Sequence, residues 1–96
     1  MRADIEKYRN RPMPEFGQYG AVAIIAGRWK GELAWYDDDE EVGYCVVYPT
    51  SLHDGSYALV RRKSLRVVPE QDVPVWMRER RAEYDMPRSL VGMIHK

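Results

Sequence analysis

The chain has 96 residues, 45% hydrophobic and 11% aromatic, and its fifteen basic and fifteen acidic residues leave no net charge. That composition suits one small folded domain with a thin core, and zero net charge argues against a general nucleic-acid binder, which carries a basic excess to replace counterions. The longest apolar run, residues 21–26, falls far short of the roughly 18 residues of a membrane span, the charged N-terminal stretch does not read as a secretory signal, and a single cysteine excludes an internal disulfide.

A soluble protein of a reducing compartment, the cytoplasm, is expected. Residues 1–15 read as an N-terminal arm. Ile5 and Tyr8 stand three apart in a charged context, and Pro12 and Pro14 stop any helix there. From Phe16 to Val68 the pattern changes to short apolar and aromatic runs separated by glycine-rich turns. Strands are predicted to start near 21, 32, 44, 57 and 65, the spacing of a small all-β unit. In the third, Tyr44, Val46 and Tyr48 share one face, and Cys45 and Val47 the other. Cys45 in that setting reads as a buried core thiol. Residues 49–56 form a loop whose Asp54-Gly55 supplies a turn. Beyond Pro69, Asp72 is placed to cap a helix with Pro74 in its first turn. Trp76, Met77, Arg80 and Tyr84 then share one side, with Trp76 the expected anchor, and Arg81 pairs with Asp85. The tail after Pro87 is apolar enough to add a strand or pack on an edge.

Charge is unevenly placed. Basic residues gather at Arg61-Arg62-Lys63, read as a solvated turn, and at 78–81, read as an exposed helix face. Five acidic residues run from Asp37 to Glu41. As an EF-hand loop the run fails, because its sixth position is Val42 rather than glycine and its twelfth is Tyr48 rather than glutamate. No metal or other cofactor is expected. Nor is an enzyme: Cys45 has no nearby histidine, His53 lies in a Ser/Asp/Gly loop, and no P-loop, G-x-S-x-G or paired Cys/His spacing occurs. Two readings of the acidic run stand. It is a hairpin tip kept soluble by charge, or a surface for a positively charged partner. Adjacent carboxylates repel one another until something neutralises them, and Trp35, Tyr36 and Tyr44 supply aromatic anchors of the kind interfaces favour. On the second reading the partner-binding residues are Trp35, Tyr36, Asp37, Asp38, Asp39, Glu40, Glu41, Tyr44 and the loop residue His53, a mimic of a phosphate chain for a basic cleft.

Gly17-Gln18-Tyr19-Gly20-Ala21-Val22, then Gly27-Arg28-Trp29-Lys30-Gly31-Glu32-Leu33-Ala34-Trp35-Tyr36, an acidic turn, and finally Tyr57-Ala58-Leu59-Val60 and Leu65-Arg66-Val67-Val68 together resemble the SH3-like barrels of many small bacterial proteins. Gly27 to Tyr48 resembles, more narrowly, immunity proteins that neutralise polymorphic or contact-dependent toxins. The resemblance implies a mainly β protein, a five-stranded SH3-like barrel over 16–69; the C-terminal α-helix and short tail expected over 70–96 lie outside that pattern. It implies an inhibitor of a cognate protein toxin or effector with a basic surface. A mobile-element inhibitor of a host defence nuclease uses the same chemistry. An SH3-like nucleic-acid-binding module would instead use Arg61, Arg62 and Lys63 with a groove drawn from Trp29, Trp35, Tyr48 and Tyr57.

Overall fold

A computed structural model describes residues 5–17, 20–52 and 56–79. Five antiparallel strands form one sheet: β1 (Ala21–Ile24), β2 (Leu33–Asp39), β3 (Tyr44–Pro49), β4 (Ala58–Arg61) and β5 (Leu65–Val67), in the order β4-β3-β2-β1-β5. Each starts within one residue of its predicted position, because β-branched and aromatic runs between glycine-bearing turns are strong strand signals. Short 3-10 turns occupy Ile5–Tyr8, Arg62–Ser64 and Glu70–Asp72, and residues 75–79 are helical. None of the described helices is long and apolar enough to cross a membrane.

Among the described residues no ladder joins the outer strands of this sheet to each other. The sheet is open, with β4 and β5 as its two edges. It must still curve strongly. Five flat strands would hold their outer members about 19 Å apart, yet only the turn Arg62–Ser64 joins β4 to β5, and so short a link spans at most about 14 Å.

Curvature gives the sheet an inner and an outer core. Inside lie Val22, Ile24, Ala34, Tyr36, Cys45, Val47, Ala58, Val60 and Leu65, with Trp29 packed at the margin. Outside, Ala21, Ala23, Leu33 and Trp35 meet Ile5, Tyr8, Val68, Val73 and Met77. β1 is therefore buried on both faces, which is why its sequence is continuously apolar and does not alternate. β3 does alternate, with Cys45, Val47 and Pro49 buried between half-buried Tyr44, Val46 and Tyr48. Cys45 is a fully buried free thiol, as its strand context predicts.

The N-terminal arm belongs to this core. Ile5 and Tyr8 bury on the outer face, and the chain then runs beside β5, where the Val67 N–H donates to the Pro12 carbonyl at 2.9 Å. Arg66 adds a bond from its Nε to the Arg9 carbonyl at 3.2 Å. One open edge is thereby covered.

On the C-terminal side Met77, fully buried, docks the helical turn, while Trp76 is 40% exposed. The expected anchor is corrected by the helix starting later than an Asp72 cap implies. Residues 70–72 instead make a 3-10 turn, and the Pro74 carbonyl accepts the Met77 and Arg78 N–H groups. Val73, in extended backbone before the helix, and Met77 within it both turn inward. The Trp35 indole N–H, buried beneath them, donates to the Met77 carbonyl at 3.0 Å. Arg80, Arg81, Tyr84, Asp85 and the tail from 88 lie outside the described residues, as does His53.

Candidate functional site

The acidic run is mostly strand. β2 continues to Asp39, and only residues 40–43 form the hairpin tip. Its turn closes with the Tyr44 N–H on the Glu41 carbonyl at 2.9 Å, and Gly43 takes the left-handed conformation there (φ +83°) that side-chain-bearing residues avoid.

A β-bulge then sorts the carboxylates. Tyr36 pairs with Val47, but Asp38 pairs with Val46 and Asp39 with Cys45, so Asp37 is an extra residue on β2. Strict alternation from inward-facing Ala34 and Tyr36 would have put Asp38 inside. The inserted residue moves Asp39 there instead. Asp37 lies along the outer face, where its carboxylate accepts from the Tyr48 hydroxyl at 3.2 Å. Asp38, Glu40 and Glu41 are exposed.

Asp39 is the hub of a buried polar cluster, with its side chain only 4% exposed. Its carboxylate accepts from the Tyr36 hydroxyl and the Arg62 guanidinium, and from the Gly17 N–H at 2.7 Å. The Cys45 thiol in turn donates to the Tyr36 oxygen at 3.3 Å. Burial alone would push the Asp39 carboxyl up, but the hydrogen bonds from Tyr36, Gly17 and Arg62 outweigh it and hold it below the usual carboxylate range. Tyr36 is pushed up, first by burial and then by its bond to Asp39, so it stays a hydroxyl donor. Arg62 is pushed up by Tyr36 and Asp39 against the opposing effect of burial, and stays charged. The expected solvated turn at 61–63 is corrected at its centre: Arg62 is a half-buried structural cation.

The predicted partner-binding residues therefore separate. Trp35 and Tyr36 are core, at 5% and 3% exposure, and offer no ring to a partner. Asp37 and Asp39 point into the fold's own bonds. Tyr44 is half-buried, with the Arg61 guanidinium 5.5 Å from its ring centroid. Only Asp38, Glu40, Glu41 and part of Tyr44 face outward together. His53 cannot be placed with them, lying outside the described residues.

Three residues that sequence reasoning passed over join the exposed set. Val42, at the tip, is fully exposed, and Phe16 and Met13 are 79% and 48% exposed. Met13 and Val42 line a notch of about 300 Å³ with Gly43, Tyr44 and Arg62, and the Phe16 ring sits 5.6 Å from the Arg62 guanidinium. An apolar residue inside a charged turn was the available signal. Met13, between two prolines, and Phe16, just after the arm, gave none.

Around the same end of the sheet lies a larger groove of about 450 Å³, between the turn after β1 and the free edge of β4. Trp29, Tyr44 and Tyr57 line it with Arg28 and Arg61, so Trp29 and Tyr57 are brought together while Trp35 and Tyr48 belong to the outer core. Among the described residues no three His, Cys, Asp or Glu side chains converge as metal ligands would. Comparisons with known protein families, with curated proteins and with solved structures found no match.

Proposed function

We propose that this chain is a non-enzymatic inhibitor built on a small SH3-like barrel, an immunity protein whose β2–β3 hairpin end seats in the basic active-site cleft of a cognate bacterial toxin. The barrel reading is supported by the curved five-stranded meander, whose last strand returns to pair with the first, one ladder short of closure.

The observation that carries the binding reading is a fully exposed Val42 at the tip, beside exposed Asp38, Glu40 and Glu41. An apolar side chain held in water at the end of a rigid hairpin gains free energy only when a partner covers it, and hot spots have this form: an apolar centre inside a polar rim. The three outward carboxylates steer a basic partner and raise its association rate. Asp37 and Asp39 take no part in that contact, because they stabilise the hairpin from within.

The experiment is capture of binding proteins from the native host by the full chain and by two variants, with identification of what is retained and assay of its activity. Val42→Ser with Phe16→Ser is expected to weaken retention about 30-fold or more, the scale of a hot-spot loss. Asp38→Asn with Glu40→Gln and Glu41→Gln is expected to slow association and flatten its salt dependence. The retained protein should lose catalytic activity when the parent chain is added at equal concentration. Equal capture by parent and both variants would overturn the reading.

A further inference from the structure

The groove beside β4 adjoins the hairpin notch, sharing Tyr44 and Arg61 with it, but its other walls, Trp29, Arg28 and Tyr57, are its own and say what it takes. We infer that it binds a short single-stranded nucleic-acid segment, with bases stacked on Trp29 and Tyr57 and phosphates held by Arg28 and Arg61. Three features on the walls converge on that occupant. Aromatic faces come from separate elements: Trp29 from the turn after β1, Tyr44 from β3 and Tyr57 from the approach to β4. Tyr57 is 61% exposed, so its ring is available at no cost to the core. Both cations are already oriented over rings, Arg28 at 5.3 Å from the Trp29 centroid and Arg61 at 5.5 Å from that of Tyr44. A guanidinium stacked in this way keeps its in-plane N–H donors for a phosphate while the aromatic beside it offers a face to a base.

Charge favours the same answer. None of the described lining residues is acidic, whereas the chain as a whole is neutral. The charged side chains of the groove are therefore cations, Arg28 and Arg61, while the outward carboxylates Asp38, Glu40 and Glu41 are not among its lining. A volume of about 450 Å³ holds only a short segment, so binding by one chain is weak and sequence-tolerant, as stacking on aromatic platforms is. An acidic peptide would satisfy the two arginines but would leave the ring faces unused.

Fluorescence anisotropy of labelled oligouridylate and oligothymidylate of about ten nucleotides, titrated with the full chain at low salt, tests this, with the tryptophan emission of a Trp76→Phe variant as a second signal. Both strands are expected to bind and to quench that emission; a preference for the first would identify RNA as the source. Binding should fall with salt at a log–log slope of about −1.4 for two phosphate contacts, and Arg28→Ala should reduce the slope by about 0.7. Tyr57→Ala should weaken binding about 5- to 150-fold, the range of one lost base stack. Both side chains are exposed, so an unchanged melting temperature establishes that the variants fold. No anisotropy change at low salt would overturn the inference. So would binding that both substitutions leave intact, or an oligoglutamate peptide that binds in place of the nucleotides. Val42→Ser lies outside the groove and should leave nucleotide binding unchanged, so this site and the hairpin contact fail or stand separately.

Discussion

Asp39→Ala is expected to lower the unfolding free energy by about 3–5 kcal/mol, the scale for removing one partner of a buried ion pair. For a domain of this kind that is a large fraction of the ~5–15 kcal/mol available. The loss is large because three donors share the one carboxylate. Without it the Arg62 guanidinium, the Tyr36 hydroxyl and the Gly17 N–H are left in a site from which water is largely excluded. Asp38→Ala, one residue away and exposed, should change stability by no more than about 0.5 kcal/mol. Urea midpoints of the two variants decide the matter, and near-equal values would show that the bulge does not sort the carboxylates as described. The same carboxylate makes stability depend on acid. Its folded pKa is depressed, so its contribution is complete above the unfolded value of about 3.9 and disappears as pH falls through the lower folded value. The gap between parent and Asp39→Asn midpoints should therefore be constant from pH 7 to about 5 and narrow below about 4. A gap that persists undiminished at pH 2 would mean that shape rather than charge stabilises the cluster.

Trp35→Ala should cost about 3–5 kcal/mol, the usual range for truncating a buried tryptophan. The ring lies in the outer core with β1, the arm residues Ile5 and Tyr8, and Val73 and Met77, and it ties those two segments to the sheet. Trp35→Phe separates its two contributions. It keeps most of the apolar area but removes the donor to the Met77 carbonyl, a bond worth about 1 kcal/mol. Thermal unfolding is expected to rank parent, phenylalanine and alanine in that order. Hydrogen exchange in the phenylalanine variant should accelerate over residues 73–79 more than within β1, since the lost bond holds that segment alone. Uniform acceleration would place the Met77 contact inside the global folding unit. This result bears on function too: a residue first read as a partner-binding anchor would prove to be the fastener of the outer core.

Trp35 also shows how far the chain's own pattern could be read. Its neighbourhood is locally legible, since Leu33-Ala34-Trp35-Tyr36 after a glycine turn is strand-forming in any context. What the pattern could not carry is which sides of that strand are covered. Periodicity treats one face as wet, whereas here the arm and residues 73–77 bury the second face as well. The same gap explains Trp76 and Met77. Trp76 and Met77 are neighbours in the chain, and a shift of one position exchanges an exposed tryptophan for a buried methionine.

Strand positions, the glycine turns, the buried Cys45 and the mainly β class follow from local preference and two-residue alternation, which act over a few residues and so are written in the chain. The fate of the acidic run does not. Five consecutive carboxylates look alike in sequence, and one inserted residue in the ladder sends Asp39 inward to Arg62, 23 residues away, while Asp38, Glu40 and Glu41 stay in water. A bulge is set by cross-strand register, and an ion pair of that separation by the curvature that brings β4 and β5 together. The Tyr36 hydroxyl bond to Asp39 lies within β2, but the β3 ladder that sets the bulge and the Arg62 side chain that completes the pair come from elsewhere in the sheet.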